Sequence, residues 1–500
     1  VSSDKELRRL ALALLQPGFV GTSAPDWLLN SIQAGLRSVV LFARNIESPA
    51  QVAQLTAQLR AENPDLVIAI DEESGDVTRI EARTGSTRPG NHALGYVDDT
   101  ALTRAVATDL GHELRAAGVT LDYAPSVDVN LNPDNPIIGV RSFGADPKVV
   151  SRHTDAWVRG IQAAGVAACA KHFPGHGDVA VDSHHGLPTY EASVEDITTN
   201  ALPPFRAAIA AGARAVMSAH LLVPALDPDA PATLSPRILN TLLREELGFE
   251  GLIVTDAIEM GGVSNRYGIE NATVRAVAAG ADAVCVGGEN ADEGTARRLI
   301  DALVNGVLGG DLPEERLADA ARRVADFADW SAELRRTTSA GAPDPAVGLG
   351  AARRAVLLSE AARARTPLTA APHVVELAPA THLAIDKQTP WGVAAPLSEL
   401  MPGTSSVRLG EDDLRADAGV LRLSGIDATA DRPLVVVVRD AARHSWMSRS
   451  LAELVAARPD AVIVETGLPG LLPGTAHICT HGASTASARA VAALLAGVGA

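Results

Sequence analysis

Cysteine is scarce in this 500-residue chain. Cys169, Cys285 and Cys479 are far apart, and their odd number and spacing argue against a disulfide framework or a cysteine metal site. A reducing, cytoplasmic setting is therefore expected; a leader removed ahead of Val1 would make the protein secreted instead. Cys169 and Cys285 sit in apolar runs and read as small core residues. Aromatic residues are also few, 3% against 47% hydrophobic residues in all, so the core must be mainly aliphatic. No apolar run approaches the roughly 20 residues of a membrane-spanning helix. The N-terminal stretch VSSDKELRRLALALL is too short and too interrupted in its apolar part to be a secretory signal. Positive charge is in deficit as well: 43 Lys and Arg against 60 Asp and Glu leave a net charge of −17, which argues against nucleic acid or an anionic membrane as the main partner.

What is present is a recurring pattern. Eight short, near-continuous apolar runs alternate with helical stretches: 18–21, 38–42, 66–70, 119–123, 166–170, 215–218, 252–255 and 283–286. Such runs are strands covered on both faces of a parallel sheet, and eight of them over about 300 residues predict a (β/α)8 TIM-type barrel. One helix is clearly punctuated, with Ser235 as N-cap, Pro236 at its first position and Gly248 past its end. Residues 1–335 are read as the barrel and 336–370 as linker and helix. Residues 371–500 are read as a smaller α/β sandwich domain, with strands at 373–377, 434–438, 461–464 and 477–479.

A barrel puts its chemistry at the C-terminal ends of its strands. Those positions hold Asp71, Asp128 with Arg141, Lys171 with His172, His220 and Asp256. The densest stretch is Lys171–Pro188, KHFPGHGDVAVDSHHGLP, whose glycines and prolines forbid a continuous helix. Three readings compete for it. Its polar side chains brace a long loop; or His172 and His176 bind a metal, although a spacing of four converges only on a helix, which Pro174 and Gly175 break; or the loop does acid/base work. In the last case Asp182, two residues before His184, fixes the imidazole's tautomer, and Asp256 supplies an opposing carboxylate, as glycoside cleavage requires. No metal and no cofactor is expected.

KHFPGHGDVAVDSHHGLP closely resembles the signature of β-N-acetylglucosaminidases of glycoside hydrolase family 3. The resemblance extends to IDEESG (Ile70–Gly75), RSFG (Arg141–Gly144), MSAH (Met217–His220) with Pro224-Ala225-Leu226, and TDAIEM (Thr255–Met260). It implies Asp256 as nucleophile, His184 as acid/base and Asp182 as its dyad partner. It further implies Asp71, Arg141, Lys171 and His172 as groups that hold a terminal N-acetylglucosamine. The implied enzyme is an exo-acting, retaining β-N-acetylhexosaminidase acting on muropeptides or chitin-type oligosaccharides. An N-acetylglucosaminide phosphorylase is the alternative enzyme, and a non-catalytic sugar-binding barrel the alternative from another class. The chain departs from the pattern at Ser74 and Asp76, where two glycines followed by arginine are usual, and His185 competes with His184 for the pocket, with the spacing from Asp182 favouring His184. His220 either lines or braces the pocket, and Asp128 supports Arg141 or the loop. The oligomeric state is not legible.

Overall fold

The computed structural model describes residues 2–184, 186–380, 384–415, 419–470 and 476–498. The chain divides into two compact units. One is Val1–Glu73, Asp99–Ile138 and Ser142–Pro343; the other is Ser74–Asp98, Gly139–Arg141 and Asp344–Ala500.

The first unit holds eight strands: β1 (Leu15–Pro17), β2 (Ser38–Leu41), β3 (Val67–Ile70), β4 (Leu121–Asp122), β5 (Ala167–Phe173), β6 (Ala215–Ser218), β7 (Leu252–Thr255) and β8 (Val284–Val286). All pairings are parallel. A ladder runs in chain order from β2 to β7, β1 pairs with β8, and a single bridge, Val254 to Ala283, ties β7 to the approach of β8. Between β1 and β2 no backbone ladder forms among the described residues, but Ser38 Oγ donates to Leu15 O at 3.2 Å. The architecture is thus a curled parallel α/β sheet. Alternate side chains such as Val40, Ala69, Leu121, Cys169, Met217, Val254 and Cys285 form one core, against which the helix Glu314–Thr337 packs Val324, Phe327 and Ala328. Each fully buried valine or leucine there contributes about 1.5–3 kcal/mol.

Seven of the eight strands lie where the apolar runs place them; the first lies earlier. Its residues, Leu15–Pro17, continue the apolar run of the helix Asp4–Leu14, which hides them in the sequence. Gly18 then passes so close to Gly287 that an added Cβ would stand 2.8 Å from its carbonyl oxygen. Strand β5 runs on to Phe173, so Lys171 and His172 are strand residues rather than loop residues. Ser235 Oγ accepts the Ile238 N–H at 3.2 Å, as its place before the helix Arg237–Glu246 suggests.

The second unit contains β9 (Leu357–Leu358), β10 (His373–Leu377), β11 (Ser405–Leu409), β12 (Leu434–Val438), β13 (Val462–Glu465) and β14 (His477–Cys479), in the order β11-β10-β12-β13-β14-β9. Only β9 is antiparallel. Successive residues of a strand point to opposite faces. Val435 and Val437 accordingly pack with the helix Thr485–Ala496, whereas Val436 and Val438 pack with Met447 and Leu451 of the helix Ser445–Ala457. Trp446 belongs to that second core. The stretch 336–370 holds the end of the helix Glu314–Thr337, the helices Pro345–Ala355 and Glu360–Ala364, and edge strand β9. Segment Ser74–Asp98 is fastened to this unit by Asp76, which pairs with Arg439 and accepts the Ala483 N–H at 2.7 Å. The unusual aspartate therefore has a structural partner. No helix of the described residues is long and apolar enough to cross a membrane.

Candidate active site

Six of the seven expected site residues lie in the first unit, at or beyond the C-terminal ends of its strands. Asp71 follows β3, Lys171 and His172 end β5, Asp182 and His184 lie on the loop beyond it, and Asp256 follows β7. Arg141 closes the short turn Gly139–Arg141, with its carbonyl accepting from Asn91 Nδ2 at 2.7 Å, and is grouped with the second unit rather than with these six.

Lys171 is 2% exposed, and a buried ammonium requires carboxylate partners. It has two: Asp71 Oδ1, and Glu73 Oε1 at 2.6 Å. Beneath them Asp122 Oδ1 accepts the Glu72 N–H at 3.0 Å. Burial, together with the neighbouring Glu72, pushes the Asp122 carboxyl well above the usual carboxylate range, so it is protonated at neutral pH. Asp71 keeps a partly exposed side chain and presents the cluster outward.

His172 is oriented by Asp128, whose Oδ2 lies 2.7 Å from its Nδ1. The other oxygen of Asp128 accepts the backbone N–H of His172 at 3.2 Å and of His176 at 2.6 Å. Asp128 is thus a brace for β5 and its loop. His176 passes the constraint on, its Nε2 lying 3.1 Å from Ser183 Oγ, beside the dyad. Burial and the nearby His172 lower the His176 imidazole to about 4, so it is neutral at physiological pH.

The dyad is tightly made. Asp182 Oδ1 lies 2.6 Å from His184 Nδ1 and accepts the His184 backbone N–H at 2.9 Å. With Nδ1 committed, Nε2 is the outward nitrogen. His185 lies outside the described residues. The loop is docked on the turn that follows Asp256: Gly261 N–H donates to His184 O at 3.2 Å, and Gly262 N–H to Ser183 O at 3.0 Å. A Cβ at Gly262 would stand 3.0 Å from Ser183 O and 3.1 Å from His220 Cβ, so glycine permits this approach.

Asp256 is held by its backbone, its N–H donating to Ser218 O at 3.1 Å, and its Oδ1 accepts the Ala257 N–H at 2.8 Å. Burial raises its carboxyl, but the imidazoles of His172, His220 and His184 outweigh this and leave it below its ordinary value. It is therefore ionised, and it lies within electrostatic reach of the dyad. His220 is neutral because burial lowers it. Its Nδ1 meets Thr233 Oγ1 at 2.8 Å and its Nε2 donates to Ala257 O at 3.0 Å, so both ring nitrogens are occupied in bracing the turn that carries Asp256.

Sequence reasoning missed Glu73 and the link from His176 to Ser183. Glu73 could have been found, because a lysine ending a buried strand needs a counter-charge and IDEESG offers several. The His176 contact spans a loop of undefined path and leaves no local signal.

An ionised carboxylate at one strand end, with an Asp-braced imidazole docked beside it on a parallel α/β sheet, is the site of a glycoside hydrolase. The model of the glycosyl hydrolase family 3 N-terminal domain matches residues 23–327, and the chain belongs to that family. It is 37% identical over 311 residues to Beta-hexosaminidase A of Pseudoalteromonas piscicida, an alignment covering 57% of this chain and 52% of that protein. It thus spans about half the length of that relative. It is 40% identical over 269 residues to a Beta-hexosaminidase of Stenotrophomonas maltophilia (strain R551-3), covering 52% of this chain and 78% of the other. Among solved structures, a glycoside hydrolase family 3 β-N-acetylglucosaminidase from Paenibacillus sp. str. FPU-7 superposes with a TM-score of 0.85 at 33% identity, over 98% of this chain and 96% of that one.

Proposed function

We propose that the protein is an exo-acting, retaining β-N-acetylglucosaminidase that releases terminal N-acetylglucosamine from muropeptides or chitin-type oligosaccharides in a reducing, cytoplasmic compartment. In this reading the curled sheet works as a (β/α)8 barrel, with the β1/β2 edge as its seam. Asp256 attacks the anomeric carbon as the glycosidic C–O bond breaks, and protonated His184 gives its Nε2 proton to the departing oxygen. Neutral His184 then takes a proton from water, whose oxygen attacks the anomeric carbon and releases the sugar from Asp256. Asp182 holds the imidazole in its working tautomer throughout. Asp71, Lys171, His172 and Arg141 are assigned to the sugar's hydroxyl and positioning contacts, as charge-assisted partners.

The observation that carries the reading is the docking of the His184 loop, through two backbone hydrogen bonds, on the turn beyond Asp256. The names of the relatives support the sugar. A chromogenic N-acetylglucosaminide assay tests the whole: turnover is expected in the unaltered protein and absent from a folded Asp256→Ala variant. Near-normal turnover by that variant would overturn the assignment. Because a neutral imidazole does not repel an anion, the same assay run with phosphate decides between water and phosphate as acceptor, through the identity of the product.

A further inference from the structure

We propose that the end of the first unit's sheet opposite the candidate active site carries a second binding site, for the phosphate group of a small molecule. A cavity of about 630 Å³ opens there, beside Leu66 ahead of β3 and Thr120 ahead of β4, the strands whose far ends lead to Asp71 and Asp128. Three helices end at it, Pro49–Glu62, Thr100–Ala116 and Glu314–Thr337, and each contributes an arginine from its last turn: Arg60, Arg115 and Arg335. No carboxylate forms an ion pair with any of the three. Arg336, also on the cavity wall, is paired with Glu333, and Asp65 and Asp329 are exposed at the mouth.

The bland explanation is that these arginines complement helix C-termini, and each does donate to a carbonyl. Arg60 donates to Gly118 O, Arg115 to Ala164 O at 3.2 Å and to Arg335 O at 2.8 Å, and Arg335 to Arg115 O at 3.1 Å. Three helix ends supply roughly −0.5 charge each, about half of what three guanidinium groups carry. The remainder shows as mutual repulsion. Burial and the charge of Arg335 pull Arg60 down to about 10, and Arg335 is itself lowered by burial and by Arg115. Arg335 Nη1 is moreover buried with no hydrogen-bond partner, a donor left for something that enters the cavity. Planar guanidinium donors around a roomy cavity suit the oxygens of a phosphate.

Isothermal titration of the full chain with inorganic phosphate, with a sugar phosphate and with the parent sugar, at constant ionic strength, tests this. Both phosphate arms are expected to bind and the neutral sugar not; the tighter of the two identifies free phosphate or an ester as the natural occupant. Arg335→Gln and Arg60→Gln should each weaken binding by roughly tenfold. Arg335→Lys, which keeps the charge but not the fork, should fall between. Circular dichroism establishes that each variant is folded. Phosphate binding that is absent, or that persists unchanged in Arg335→Gln and Arg335→Lys, would overturn the proposal and leave the arginines as helix caps alone.

Discussion

His176 should make the protein sensitive to mild acid, by an amount the structure sets. In the folded chain its imidazole stays neutral down to about pH 4, whereas in the unfolded chain it takes up a proton from about pH 6.5 downward. The stabilisation from keeping it neutral is therefore complete above pH 6.5, declines as the pH falls and levels off near 4. At pH 5 the linkage is worth about 2 kcal/mol. Glutamine at this position keeps a donor near the place of Nε2, within reach of Ser183 Oγ, but does not titrate. Urea unfolding of the wild type and of His176→Gln, each at pH 7.5 and 5.0, isolates the effect as a double difference. The wild type should lose about 2 kcal/mol more than the variant between the two pH values. Equal losses would refute the reasoning and mean that the folded ring is protonated or solvated.

Other expectations concern the dyad and the second unit. Replacing Asp182 by Ala removes the acceptor for both His184 Nδ1 and the His184 N–H, and should lower kcat/KM on a natural oligosaccharide by about 10²–10⁴. With a dinitrophenyl leaving group, which needs no proton, the loss should be much smaller; equal losses on the two substrates would count against His184 as the acid. Asp76→Ala strands the buried Arg439 guanidinium and frees the Ala483 N–H, which should destabilise the second unit by about 3–5 kcal/mol in a thermal or urea melt. A change below 1 kcal/mol would show that water or a neighbouring acceptor replaces the carboxylate.

The first unit was legible because parallel strands buried on both faces must be apolar throughout, as VIAI, AVMS and LIVT are. The same rule failed at Leu15–Pro17, where helix and strand share one apolar run, and at Ser405–Leu409, an edge strand whose residues are alternately half-buried and exposed over most of its length. Strand β9 escaped notice because two residues carry no period. For the candidate site, the pairing of Asp182 with His184 could be read from a spacing of two. Roles that depend on distant partners could not. Asp128 was left between Arg141 and the loop until its contacts with His172 and His176 appeared, and His220 between lining and bracing until Thr233 and Ala257 occupied its nitrogens. Likewise nothing in Asp76 itself announced Arg439, more than three hundred residues away in the chain.

The central claim is that Asp256 and His184 act on one anomeric carbon, and trapping tests it most directly. His184→Ala, supplied with dinitrophenyl N-acetyl-β-glucosaminide and quenched early, should form the covalent intermediate but resolve it slowly, for want of a base. Intact-mass measurement and peptide mapping should then find one N-acetylglucosaminyl group on the peptide that carries Asp256. An adduct on a different residue, or steady turnover with none, would contradict the account.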